Sequence, residues 1–322
     1  MNSSDRPSYS QIDHWRRYQR YMPERIRVTA EREPVEEWWP WHGAEIHLDR
    51  FRAPASPLTV ILLHGGGGYG RLLAPFGVLL NSHGYEVVAP DFPGYGLTVS
   101  PRSLFDYERW VDCVVALADA ESQRNSKPVV LFGMSLGGYL GYLAAAKGGK
   151  AAGVIATTLC DPRLPIVVDQ FARSPRLNRM LNPLLPFAAN LFGGLRLPIK
   201  WFSNMKGITN DPELTRLLCE DPIGGGNRVP VRFMHSLMSI RPAIEPENFD
   251  VCPLLLAHPA ADLWTTIEAS KPFFDRIQGP KELVMLENCG HFPLEEPGFS
   301  SLERASISFL KKLHHGPGKG TP

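Results

Sequence analysis

A serine framed by glycines, Gly133-Met134-Ser135-Leu136-Gly137-Gly138, sits between an apolar run, PVVLF, and an Ala/Gly-rich stretch, YLGYLAAA. G-x-S-x-G between a strand and a helix is the setting a nucleophilic serine needs. The turn is tight, and side chains at the flanking positions would collide with the strand and helix, so glycines stand there. The hydroxyl is then held out at the carboxyl edge of a sheet, above a helix N-terminus whose dipole favours developing negative charge. The competing reading is a glycine-rich connection with an idle serine. The strand before and the helix after favour the nucleophile, and the chemistry would be attack on an acyl carbon.

A hydroxyl needs a base, and on this kind of turn the acid and then the histidine follow downstream in the chain. Ten histidines are present, so position has to select. His291 follows the last strand-like run, in Glu287-Asn288-Cys289-Gly290-His291-Phe292-Pro293, where Gly290 and Pro293 mark a loop able to aim an imidazole across the sheet edge. His14, His42 and His47 precede the core, His83 ends a helix, His235 lies in an irregular region, and His314 and His315 lie in the tail. The acid that orients the imidazole is expected to be Asp262, which follows the strand CPLLLA in the turn HPAAD. Asp161, after the run AGVIATT, is the rival; Asp91 precedes the serine and reads as a loop brace. The oxyanion donors are expected from Gly66, with Gly67 as a further candidate, in the run after the strand LTVILL, and from Leu136, which follows the nucleophile. A phosphate-cradling loop is the alternative for that glycine run, but H-G-G-G-G lacks the G-K-[ST] ending and does not fit G-x-G-x-x-G. Met134, Trp264 and Phe292 flank these positions and are candidate substrate contacts.

The elements that must position these residues follow from the pattern of the chain. Short β-rich runs alternate with helical stretches, which predicts a mostly parallel sheet wrapped by helices. Strands are expected at 25–30 and 44–51 as an opening hairpin, then at 58–63, 85–89, 128–132, 152–158, 252–257 and 281–286. Helices are expected at 71–84 with Gly84 as its stop, 103–124, 135–146, 266–277 and from about Ser300, with Glu303 completing a capping box. Residues 162–250 lack the alternation and read as an inserted helical cap, leaving 1–161 and 251–322 as the core.

Across its 322 residues the chain is 43% hydrophobic and 21% charged, with a formal net charge of +1. That composition is ordinary for a globular core and shows no basic face for nucleic acid. The five cysteines form no C-x-x-C pair and read as buried thiols rather than a disulfide frame or a zinc site. The amino terminus lacks the apolar core of a signal peptide, and no stretch approaches the ~20 apolar residues of a membrane span. The expectation is therefore a cytoplasmic protein with no membrane span and a frayed tail after Leu313. Whether it forms a homodimer is left open.

Four motifs occur in the order HGGGG at 64–68, DFPGYG at 91–96, GMSLGG at 133–138 and CGHFPLEEP at 289–297. Together they resemble the α/β-hydrolase superfamily over nearly the whole chain from about Arg25 to Leu313. CPLLLAHPAAD resembles the family stretch P-x-L-x-x-H-G-x-x-D, which supports Asp262 over Asp161; Pro259 departs from it where glycine is usual. The segment ITNDPELTRLLCEDPIGGG is similar to the cap of lysophospholipase and monoacylglycerol-lipase-like members. The resemblance implies the α/β-hydrolase fold and a serine esterase with no cofactor and no metal, acting on a small-molecule acyl ester. Serine at 135 sets the chain apart from the aspartate-nucleophile branches. Leu181, Leu184, Leu185, Phe187, Leu191, Phe192, Trp201 and Phe202 are candidates for an acyl pocket, or for packing the cap on the core. The same machinery would serve a thioester, lactone or amide, or peroxide-dependent chemistry, and the fold also suits a non-catalytic binding protein.

Overall fold

A computed structural model describes residues 6–148 and 150–315. After a short helix α1 (His14–Tyr18), the chain forms the hairpin β1 (Val35–Trp41) and β2 (Ala44–Phe51). The two residues joining them, His42 and Gly43, have φ of 45° and 77°, as a two-residue turn matched to strand twist requires. The expected first strand at 25–30 is not one: that segment holds a 3₁₀ turn at Glu24–Ile26 and then irregular chain. The true partner, VEEWWPW, is half-exposed along its length and contains a proline, so it lacks the apolar run of a buried strand, and the His-Gly turn was the usable signal.

Then follow β3 (Thr59–Leu63), α2 (Ala74–Ser82), β4 (Glu86–Pro90), α3 (Tyr107–Asn125), β5 (Val129–Gly133), α4 (Leu136–Gly148) and β6 (Ala151–Ala156). The strands β3, β4 and β5 are buried at every position, which is why they read as continuous apolar runs. Between β6 and the next sheet strand the chain builds α5 (Pro165–Phe171), α6 (Pro175–Leu181), α7 (Leu185–Phe192), β7 (Arg196–Pro198), α8 (Pro212–Glu220), β8 (Arg228–Pro230) and α9 (Val231–Ser239), with β7 and β8 forming a small separate sheet. The sheet then resumes with β9 (Leu254–Pro259), α10 (Ile267–Arg276) and β10 (Lys281–Leu286), and the described chain ends with α11 (Gly298–His315). Helix α11 begins two residues before the expected start: Glu296, not Glu303, meets the backbone N–H and hydroxyl of Ser300. The tail expected to fray is helical as far as His315, and 316–322 lie outside the described residues.

The large sheet has eight strands in the order β1-β2-β4-β3-β5-β6-β9-β10. The hairpin joins antiparallel at one end and the other neighbours run parallel. From β3 the chain winds one way to β4 and then the other way to β5. Ligands of open α/β sheets bind outside the carboxyl ends of strands at such a reversal. The strand order also sets the loops after β3, β5, β6, β9 and β10 side by side along one edge.

Candidate active site

Ser135 occupies the loop after β5 at φ 55°, a left-handed conformation uncommon for a residue with a Cβ. Its surroundings hold it there. Its N–H donates to the Thr157 hydroxyl at 3.0 Å, and its carbonyl accepts from the Thr158 hydroxyl at 2.9 Å. Both threonines follow β6, the neighbour of β5. A Cβ on Gly137 would strike the Leu63 carbonyl at the end of β3, and one on Gly65 would come within 2.9 Å of the Ser135 Cβ. The glycines are thus needed for backbone to approach backbone on both sides of Ser135.

The Ser135 hydroxyl donates to His291 Nε2 at 2.7 Å, and His291 Nδ1–H donates to Asp262 Oδ2 at 2.8 Å. His291 comes from the loop after β10 and Asp262 from the turn after β9. Asp262 is 4% exposed. Its Oδ1 accepts from the backbone N–H groups of Trp264 and Thr265 at 2.7 and 2.8 Å, while the Thr265 hydroxyl donates to Oδ2 at 2.9 Å. Burial pushes against its charge, but the His291 imidazole and these backbone donors outweigh burial and hold the carboxyl below its usual range. Asp161 is engaged elsewhere: Arg163 grips it in an ion pair of 2.8 Å and also reaches Glu245. Asp91 accepts from the N–H groups of Gly70 and Leu97 and from the Tyr9 hydroxyl, bracing the loops after β3 and β4.

Gly66 and Leu136 face the same space as Ser135. Leu136 is the first residue of α4, where a backbone N–H has no partner within the helix. Gly67 does not line that space; it turns at φ 79°, and a Cβ there would meet Gly225 and Met205. The glycine loop is pinned by a residue that sequence reading passed over. His64 Nδ1–H donates to the Gly65 carbonyl at 2.9 Å, and its Nε2 accepts the Phe92 N–H at 3.1 Å. This bonding needs the neutral ring, and burial lowers the His64 pKa to about 4. No motif marks the roles of His64, Thr157, Thr158 and Thr265, because each depends on which strand lies next to which.

Beyond Ser135 a cavity of about 960 Å³, its open mouth included, runs between the sheet edge and the 162–250 segment. Its walls are apolar, with Val167, Phe171, Met205, Val229, Phe233 and Leu237 prominent. Trp264 lines it and lies 4.8 Å from the His291 ring, centroid to centroid. Met134 and Phe292 do not line it. Met134 is buried in the core, and Phe292 turns its ring onto Phe76 at 5.4 Å. Of the apolar residues that could line an acyl pocket, Leu185 and Phe202 do; Leu181, Leu184, Phe187, Leu191, Phe192 and Trp201 face outward and are exposed. The cysteines are all free, four buried and Cys219 half-buried. Among the described residues no group of three or more His, Cys, Asp or Glu is arranged to hold a metal, and no helix is long and apolar enough to cross a membrane.

A serine at a strained strand-to-helix turn, with a histidine and an aspartate brought to it from the last two strands of a mostly parallel sheet, defines an α/β-hydrolase. Residues 60–299 match the model of the alpha/beta hydrolase family, and the chain belongs to that family. It is 28% identical over 255 residues to "Polyketide transferase ATR5" of Stachybotrys chlorohalonatus, covering 75% of this chain and 84% of that one. Among solved structures it superposes on a monoglyceride lipase from Saccharomyces cerevisiae with a TM-score of 0.72 at 20% identity, over 91% of this chain and 98% of that one. A monoacylglycerol lipase from Paleococcus ferrophilus gives a TM-score of 0.65 at 23% identity, over 84% of this chain and all of that one. At these identities the two lipases speak to the fold.

Proposed function

We propose that the protein is a serine hydrolase cleaving a carboxylic ester with an apolar acyl group through an acyl-enzyme. The observation that carries this reading is the unbroken chain of hydrogen bonds from the Ser135 hydroxyl through His291 to Asp262, at 2.7 and 2.8 Å. In the first half-reaction Ser135 Oγ attacks the carbonyl carbon while His291 Nε2 takes its proton. Asp262 holds the imidazole tautomer and stabilises the imidazolium, and the Gly66 and Leu136 N–H groups receive the oxyanion. Collapse expels the alcohol, which takes the proton from His291. Water, deprotonated by His291, then attacks the acyl-serine; collapse releases the acid, and His291 returns the proton to Ser135 Oγ. Residues 162–250 act as the cap, and the apolar cavity beneath them receives the acyl chain, with Trp264 beside the imidazole.

A fluorophosphonate probe tests this reading. It should label Ser135, Ser135→Ala should abolish labelling, and a chain-length series of p-nitrophenyl esters should show turnover. Folded protein that neither labels nor turns over any ester refutes it and favours a binding role. Thioester, lactone and amide series tell the acyl bond types apart, and activity that demands peroxide marks the perhydrolase alternative. One observation favours a second reading, transfer of the acyl group to an alcohol rather than water: a relative that matches over most of the chain is named a polyketide transferase. The apolar cavity walls suit it, since they favour an organic acceptor over water. Ester product formed from acyl-enzyme and added alcohol distinguishes it from hydrolysis.

A further inference from the structure

The 173–206 segment has two faces of opposite use. Asn178, Asn182 and Leu185, spaced four and three residues apart, turn inward and line the cavity. Leu177, Met180, Leu184, Phe187, Leu191 and Phe192, also at helical spacing, turn outward, and each is half or more exposed, Phe187 at 66%. Trp201 extends this face at 62% exposure. Scattered exposed apolar residues are ordinary, whereas a contiguous set on neighbouring helices marks an interaction surface.

The charge of the same segment is one-sided. It contains Arg173, Arg176, Arg179, Arg196, Lys200 and Lys206 and no aspartate or glutamate. With +6 there and a formal net charge of +1 for the whole chain, the remainder carries −5. Of these six cations, among the described residues, only Arg179 has a carboxylate partner, Asp169 at 3.1 Å. A second copy is a poor occupant, because a two-fold interface would set the same patch, cations included, against itself. A protein partner would have to offer a surface packed closely around these side chains, with carboxylates placed against the cations. A bilayer needs no matching shape. It takes up leucine, phenylalanine and tryptophan at its interface and, when anionic, attracts the arginines and lysines around them.

We propose that the outward face of α6 and α7, with Trp201, docks the protein on anionic lipid bilayers. The negative remainder of the chain is repelled by the same surface, so the field orients the molecule cap-first. The cavity, walled by the inner side of these same helices, would then lie directly above the lipid.

The test uses the full-length protein and flotation with vesicles of phosphatidylcholine alone or with a third phosphatidylserine. It does not depend on activity, so it stands apart from the catalytic reading. The wild type should float with the mixed vesicles and only weakly with phosphatidylcholine. Its tryptophan emission should shift to the blue on binding, and Trp201→Phe should remove most of that shift. The triple variant Phe187→Ser/Leu191→Ser/Phe192→Ser should lose at least tenfold in partitioning. Arg176→Gln/Lys200→Gln/Lys206→Gln should lose roughly a hundredfold on mixed vesicles, about fivefold per cation, and little on neutral ones. All the changed residues are exposed and outside the cavity, and an unchanged melting temperature checks their folding. Folded wild type that floats with neither vesicle overturns the proposal. So does equal binding to both compositions, binding untouched by the serine variant, or a dimer in sedimentation that the serine variant dissociates.

Discussion

Replacing Asp262 with asparagine is a perturbation whose outcome the geometry dictates in detail. An asparagine could in principle turn its oxygen toward His291 and keep the imidazole in its working tautomer. The surroundings forbid it. The Trp264 and Thr265 N–H groups donate to Oδ1 at 2.7 and 2.8 Å, and turning the amide would set its NH₂ against both. The amide oxygen must therefore stay on the backbone side, and the NH₂ must face His291 Nδ1, now 2.8 Å from an acceptor. His291 then keeps its proton on Nε2 and cannot take one from Ser135. Loss of the working tautomer at a serine–histidine–aspartate site costs about 10⁴ in kcat, or about 5.5 kcal/mol of transition-state stabilisation. Steady-state hydrolysis of a short-chain p-nitrophenyl ester, with the rate of fluorophosphonate labelling in parallel, measures it. Asp161→Asn is the control and should stay within a few-fold of wild type, since that carboxylate is held by Arg163. An Asp262→Asn enzyme that keeps more than a tenth of wild-type activity, with its fold intact, would refute the assignment of the acid.

Other outcomes follow from the same contacts. His64 is buried neutral, with burial taking its pKa to about 4 from an ordinary 6.5; the unfolded chain therefore binds the extra proton first, and as pH falls from about 6.5 to 4 the fold should lose on the order of 3 kcal/mol from this group. His47 does the opposite: burial opposes its charge, but Asp91, Glu36 and Asp49 raise it to about 10, so its contribution is complete below about 6.5 and is lost as pH rises toward 10. Melting temperature against pH should therefore peak between these limbs, and His47→Gln should flatten the alkaline one. Thr157→Val leaves the Ser135 N–H unpaired and should cost about 1–3 kcal/mol in urea unfolding, with activity down at least tenfold because the turn is no longer held. Gly137→Ala drives a methyl into the Leu63 carbonyl; it should yield no soluble enzyme or lower stability by more than about 4 kcal/mol, as only a backbone shift relieves it.

β5 and β9, which lead to Ser135 and Asp262, were legible because burial on both faces writes them as apolar runs; β10 is exposed or half-exposed up to Leu286, yet it too was read over its full Lys281–Leu286 range. The hairpin at the sheet edge was not, since β1 mixes tryptophan, glutamate and proline and is half-exposed, so neither alternation nor apolar run signals it. Ser135, Asp262 and His291 could be chosen from their places after strands. That they meet depends on β5, β6, β9 and β10 being neighbours in that order, which is a property of pairing and not of any one segment. For the same reason Thr157, Thr158, Thr265 and His64 stayed hidden: they look like ordinary strand-end residues until the next loop is in place. Between β6 and β9, both sides of α6 and α7 are rich in leucine and phenylalanine, and composition could not tell Leu185, which meets the cavity, from Leu184, which meets solvent.

The cavity has two kinds of wall, and they differ in what they tolerate. On the sheet side, peptide groups approach so closely that an added methyl group at Gly65 or Gly137 has nowhere to go. On the other side the wall is made of interchangeable aliphatic and aromatic side chains such as Val167, Val229, Phe233 and Leu237, whose volumes trade off at modest cost. Diversity sown at those four positions would resize the chamber while leaving the framework around Ser135 untouched, so the shape the chamber admits can change through only a few codons.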